Sequence, residues 1–141
     1  LNNVTLAQSY LKKALVRLKT LELLIAEAAY SDVVREAQEA VELALKGILR
    51  QIGVEPPKQH DVGYLIIEYS ELLPDEVAGQ TGKLAEISRW LRKEREFAFY
   101  GDIDFIPTAE YSLSDAERAL HDARIVVRAA QAVIPEPDNW R

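Results

Sequence analysis

The chain of 141 residues has no cysteine and no methionine, and its only histidines are His60 and His121. The lack of cysteine excludes a disulfide framework, a thiol nucleophile and every Cys-based zinc or iron–sulfur site. Two histidines cannot build a His-rich metal cage, and neither a metal nor a cofactor is expected. No apolar run approaches the ~18–20 residues of a membrane span. No secretory leader is apparent, so a cytoplasmic protein is expected. There is no basic excess either: 17 Lys and Arg face 23 Asp and Glu, a net charge of −6. That argues against a surface that clings throughout to nucleic acid or anionic lipid, though it leaves room for a local basic stripe. The length suits a single domain over 1–141, with a core at about 5–134 and a tail at 135–141. A chain of this size buries roughly two-thirds of its unfolded surface without covalent staples.

Glycine and proline number six each, and they fall in clusters at 53–57, 74, 79–82, 101–107 and 135–137. Between the clusters, apolar residues recur at three and four, the helix period. The first helix is expected over about Thr5–Ala29, with a stripe of Leu6, Tyr10, Ala14, Leu18, Leu21 and Ile25. The second starts at Ser31-Asp32, either of which can cap it, and stops at Gly53. Its stripe is wide, from Val33 and Ala37 to Leu49 and Ile52, and Glu42 with Lys46 forms an i,i+4 pair. Pro56-Pro57 forces an extended link. A shorter helix opens near His60-Asp61, with Asp61 the better cap, and ends before Pro74. A fourth helix runs from Lys83 to about Phe99. The last follows Ser112 or Ser114 and stops at Pro135. No segment keeps the period of a strand. The expected fold is all-α: an up-and-down bundle of four long helices plus a shorter one. The connection at 100–113 is long but carries Tyr100, Phe105, Ile106 and Tyr111, which favours a packed segment.

One cation is out of place. On a helical wheel Leu84, Ile87, Leu91 and Ala98 share the inward sector, and Arg95 falls beside it. A guanidinium drawn out of water needs an acid, a carbonyl or an anion, because its desolvation alone costs several kcal/mol. Glu94, Asp102 or an acid of the second helix can pair with it. Alternatively, it anchors an anion in a cleft, a task for which the planar fork of donors is suited.

Three stretches carry a resemblance: Arg35-Glu-Ala-Gln-Glu-Ala-Val-Glu-Leu-Ala-Leu-Lys-Gly-Ile-Leu49, Gly53-Val-Glu-Pro-Pro-Lys-Gln-His-Asp-Val-Gly-Tyr-Leu65 and Arg95-Glu-Phe-Ala-Phe-Tyr-Gly-Asp102. Over about residues 5–134 the chain resembles the HEPN domain family of four- or five-helix bundles. The resemblance implies a dimer with a composite cleft and, in many members, ribonuclease activity. That activity uses an Arg followed, after four to six residues, by a His. Small members are frequently encoded beside a minimal nucleotidyltransferase, as a toxin–antitoxin-like pair. Arg95 matches the family Arg, but the window for the His holds Tyr100, Gly101 and Asp102. Attack by a ribose 2′-OH wants an acid–base near neutrality, which imidazole supplies and a phenol, with a reference pKa near 10, does not. The resemblance therefore implies a non-catalytic binding protein, which partners a nucleotidyltransferase or binds a nucleotide or RNA phosphate at Arg95, Tyr100, Asp102 and Arg92. Arg95 would hold the anion, Tyr100 hydrogen-bond or stack on it, and Asp102 position Arg95. The competing reading is a divergent, metal-independent ribonuclease that uses Arg95 with Tyr100. In a third, a partner transferase modifies Tyr100.

The remaining constellations have plainer readings. His60-Asp61 reads as a helix-start motif that fixes the Pro-Pro link rather than as a metal site. His121 reads as a surface or interface residue. Arg89, Arg92, Lys93 and Arg95, interleaved with Trp90, Phe97, Phe99 and Tyr100, suit single-stranded bases and phosphates, but Glu86, Glu94 and Glu96 interrupt them. Trp90 and Phe97 form a second apolar face on the fourth helix, expected to meet a second copy in a homodimer. No phosphate-cradling Gly-rich loop is present.

Overall fold

The computed structural model describes residues 5–101 and 106–137, with Phe99 by its backbone alone. Asp102 and Phe105 lie outside the described residues. Four long helices form the bundle: α1 (Leu6–Ala26), α2 (Tyr30–Gln51), α5 (Thr81–Phe99) and α7 (Leu113–Val133). Short helical segments join them: α3 (Gly63–Glu68), a 3-10 turn at Ser70–Leu72, α4 (Asp75–Ala78) and α6 (Pro107–Glu110). The described residues contain no strand. The all-α bundle expected from the period of the apolar residues is what the chain forms.

α2 is the hub and packs against α1, α5 and α7. Its apolar face is the widest in the chain, and Val33, Ala37, Ala40, Val41, Ala44, Leu45, Ile48 and Leu49 are all buried. Alanine at three of these eight positions lets neighbouring helices approach closely, while Leu and Ile fill the gaps. Leu11, Leu21, Leu84, Ile87, Leu91, Val126 and Val127 join the same core. On α1 the inward face is Ala7, Leu11, Ala14 and Leu21, with Leu6 half exposed. The stripe is thus rotated by one residue at its start from the expected one.

The helix ends follow local chemistry, with two corrections, of which the first is that α3 begins at Gly63 with Val62 rather than Asp61 at its N-cap and no side-chain cap. Thr5 and Gln8 form a reciprocal capping box on α1, and Ser112 with Asp115 does the same on α7. Gly53, at φ 86°, ends α2: its N–H donates to the Arg50 carbonyl, and that of Val54 to Leu49. Neither Ser31 nor Asp32 caps α2, which begins at Tyr30 without a side-chain cap. The reason lies upstream. Ala28 takes φ 56° and ends α1 by the same pair of bonds that Gly53 makes, to Ile25 and, through Ala29, to Leu24. The chain reverses within three residues, and α2 starts before Ser31 is reached.

Candidate functional site

The site is assembled on α2. Beside its apolar face runs a polar stripe at helical spacing: Arg35, Gln38, Glu39, Glu42 and Lys46. Gln38 lies 2% exposed, a polar amide within the core. A buried amide must be hydrogen-bonded, and this one is. Its Nε2 donates to Glu42 Oε1 at 3.1 Å, and its Oε1 accepts from Arg95 Nη1 at 2.8 Å.

Arg95 crosses from α5 to this stripe. Its side chain is 20% exposed and lies 3.6 Å from Glu39 Oε2 and 3.7 Å from Glu42 Oε1. The acids that meet it therefore belong to the second helix. Glu94 faces away and accepts a hydrogen bond from the Tyr111 hydroxyl at 2.8 Å. That contact and burial raise the Tyr111 pKa well above the usual phenol value, with burial the larger cause.

His60 is not spent in the start of α3. Its Nδ1 lies 2.8 Å from Glu42 Oε1 and 3.1 Å from Arg95 Nη1. This corrects the expectation that His60 serves only as part of a helix-start motif. The physical reason is the Pro-Pro link. Glu42 lies nine residues before the end of α2, about 14 Å back along its axis at 1.5 Å per residue. An extended link that doubles back along α2 covers that distance and sets an imidazole on the stripe. Asp61, next in sequence, anchors the link. Its Oδ1 accepts from the Gly63 N–H at 3.1 Å and from the Ser88 hydroxyl at 2.7 Å, which ties the link to α3 and α5.

Burial pushes the Glu42 carboxyl up, but hydrogen bonds from His60, Lys46 and Gln38 outweigh it and hold its pKa below the usual carboxylate value. An ionised Glu42 thus stands behind both His60 and Arg95.

In front of them opens a cleft of about 220 Å³, lined by Arg35, His60, Arg92, Arg95, Glu96 and Tyr100. Arg92 pairs with no acid among the described residues. Tyr100 caps the end of α5 and is 74% exposed, its backbone set by Gly101 at φ 74°. Three guanidiniums and one carboxylate line the cleft, with Arg35 also 3.8 Å from Glu36 and Arg95 backed by Glu39 and Glu42, and the phenol and imidazole add hydrogen-bonding groups. Asp102, expected to position Arg95, lies outside the described residues; Gln38, Glu39 and Glu42 hold the guanidinium. Among the described residues no three His, Cys, Asp or Glu side chains gather as metal ligands.

The two residues expected at a dimer interface differ in their surroundings within the chain. Trp90 is used within the chain: its Nε1 donates to buried Asp122 at 2.9 Å, and Arg118 stacks on its ring at 4.1 Å. Phe97 is 44% exposed. His121 is exposed on α7.

The HEPN domain family matches residues 7–133. The chain belongs to this family. No curated protein matches it. Its structure is similar to the crystal structure of an archaeal HEPN homologue, with a TM-score of 0.67 and 20% identity. The match covers 89% of this chain and 94% of that one, and at that identity it speaks for the fold. None of the helices in the described part of this HEPN protein is long and apolar enough to cross a membrane.

Sequence reasoning reached Arg95, Arg92 and Tyr100 through the family motif and the wheel. It named an acid of the second helix among the possible partners of Arg95, which Glu39 and Glu42 supply, and it missed Arg35 and Gln38. The signal for them was present, since polar residues at spacings of three and four beside a wide apolar face mark a second, polar contact line. No local signal sets where His60 lands.

Proposed function

We propose that this HEPN protein is a phosphate-binding module, which holds the phosphodiester of a nucleotide or RNA strand in the cleft between α2 and α5. The observation that carries the reading is the convergence of Arg35, Arg92 and Arg95 with His60 and Tyr100 on one opening. Arg95 is braced from behind by Gln38 and Glu42, so its fork is preorganised rather than wandering. Arg92 and Arg35 are the outer clamps, and Tyr100 offers a ring for stacking or a hydroxyl for hydrogen bonding. A minimal nucleotidyltransferase as partner in a toxin–antitoxin-like pair, and a homodimer that shares the cleft, rest on the family resemblance. An exposed Tyr100 leaves its hydroxyl within reach of such a transferase.

The test is fluorescence anisotropy with a short 2′-O-methyl oligouridylate, which 2′-OH attack cannot cleave. Binding should weaken about tenfold or more for Arg92→Ala combined with Arg95→Ala, the loss of two charge-assisted contacts. Equal affinity in the double variant would end the reading. Co-elution with the neighbouring transferase, and a mass gain on Tyr100 in its presence with ATP, test the partnership.

A second reading has one observation in its favour. His60 sets an imidazole 3.1 Å from Arg95, which returns an acid–base beside a phosphate anchor without the motif histidine. A ribonuclease built this way would use His60 rather than Tyr100 to take the 2′-OH proton, and Arg95 to stabilise the phosphorane-like charge. Cleavage of an unmodified transcript, lost in both His60→Gln and Arg95→Ala and kept in Tyr100→Phe, is the result that favours it.

A further inference from the structure

We propose that His60 is a proton-gated positioning residue for Arg95: protonation of its imidazole releases the guanidinium toward the cleft and tightens phosphodiester binding. The inference rests on the phosphate-binding reading above and assigns its regulation.

The argument starts from one atom. His60 Nδ1 is within hydrogen-bond distance of both a carboxylate oxygen, Glu42 Oε1 at 2.8 Å, and a guanidinium nitrogen, Arg95 Nη1 at 3.1 Å. Carboxylates accept and guanidiniums donate, so one ring nitrogen cannot satisfy both. With a lone pair on Nδ1, the imidazole accepts from Arg95 and faces Glu42 acceptor to acceptor. With a proton on Nδ1, it donates to Glu42 and turns an N–H toward the N–H of Arg95.

Glu42 decides what protonation does. Gln38 and Lys46 also donate to it, at 3.1 and 3.0 Å, and it remains an acceptor throughout. A doubly protonated ring must therefore donate its Nδ1–H as a hydrogen bond to Glu42. Whichever uncharged tautomer precedes it, the charged ring offers Arg95 no acceptor and sets a like charge 3.1 Å from it. Arg95 keeps Gln38 Oε1 at 2.8 Å and the carboxylates of Glu39 and Glu42 at 3.6 and 3.7 Å, so it turns about those contacts rather than collapses. The open side is the cleft with Arg35 and Arg92 on its wall. The half-exposed ring adds its own positive charge to that wall.

Around the imidazole stand Glu42 of α2 and Arg95 of α5 in contact with it, Arg35, Arg92, Glu96 and Tyr100 on the shared cleft lining, Lys46 and Glu39 paired with Glu42 and Arg95, and Asp61 next to it on the link. Of these side-chain types and the imidazole itself, only the imidazole ordinarily changes charge between about pH 5 and 8. Asp61 is held by Gly63 and Ser88, so the link does not follow the ring.

The probe is the 2′-O-methyl oligouridylate, which does not itself titrate in this range. Its affinity for the full chain should rise about fivefold from pH 8 to 5.5, the upper end for one partly exposed ion pair. His60→Gln, neutral at every pH, should lose most of that rise, and His121→Gln should keep it. A second measurement on the unsubstituted chain needs no ligand and no variant. The side-chain N–H resonances of Arg95 should move with pH at the midpoint of the His60 ring signals. Binding with a flat pH profile, a rise that survives in His60→Gln, or Arg95 resonances indifferent to His60 would each overturn the gate and leave the phosphate-binding reading standing. No binding at any pH would overturn that reading and, with it, the gate.

Discussion

Replacing Gly63 with alanine probes the seam that holds the link against α5. Gly63 is the first residue of α3 and is buried. A Cβ built on it would lie 2.7 Å from Ala85 Cα, 3.0 Å from Ala85 Cβ and 3.3 Å from the Ala85 carbonyl oxygen. These atoms are backbone or a methyl stub and cannot rotate away, so α3 must retreat from α5. Overpacking of this kind costs about 1–3 kcal/mol, and a central value of about 2 is reasonable where the obstacle is rigid. Unfolding entropy near ~2.1 cal/mol/K per residue gives about 0.3 kcal/mol/K for this chain, so Tm should fall by about 7 °C. Gly47→Ala is the internal control. Its nearest obstacle is the tip of Ile134, Cδ1 at 3.1 Å, with Tyr10 Cβ at 3.3 Å. A flexible tip can yield, and alanine in a helix interior regains up to about 1 kcal/mol over glycine, so Tm should stay within about 3 °C. Because Asp61 accepts from the Gly63 N–H, Gly63→Ala should also weaken oligonucleotide binding through His60. Thermal melts followed by circular dichroism read the first effect, and anisotropy the second. A Gly63→Ala protein that melts within about 2 °C of its parent, or a Gly47→Ala protein equally damaged, would refute the packing argument.

Ala28→Gly should stabilise the chain by about 1 kcal/mol, because a Cβ at φ 56° is strained and glycine relieves it; a melt that shows no gain removes that strain from the account. Tyr111 holds its phenolic proton more tightly when folded than unfolded, with burial first and Glu94 second. Its contribution is full below about pH 10, the unfolded value, and is lost as pH rises beyond it. Near-ultraviolet titration should show one late-ionising tyrosine that Tyr111→Phe deletes. Glu42 has the opposite sign: its pKa is depressed on folding. Its contribution is present above about pH 4.3, the unfolded value, and is lost as pH falls through the lower folded one. Denaturant midpoints across acid pH should fall less steeply in Glu42→Gln than in the parent. Binding of the oligouridylate should weaken with added salt, and Arg92→Ala should flatten that dependence by the share of one phosphate contact.

The bundle was legible in the sequence because its determinants are local. Apolar residues at three and four, a wide face on α2, capping residues at Thr5 and Ser112, and Gly53 at a left-handed turn each act within a few residues of themselves. Burial then follows from the period. The family motif and the wheel likewise marked Arg95 as a cation turned inward. Its company was decided elsewhere. Gln38 and Glu42 meet Arg95 across an interhelical contact 57 and 53 residues distant in sequence. His60 arrives only because an extended link doubles back along α2. Trp90 shows the same limit: the wheel gave it an apolar face, and only the fold brought Asp122 and Arg118 of α7 to its ring. Periodicity says which side of a helix seeks cover, since that depends on the solvent alone. Which hydrogen-bonding atoms meet depends on the rotation and depth at which two helices pack, and only the folded chain sets those.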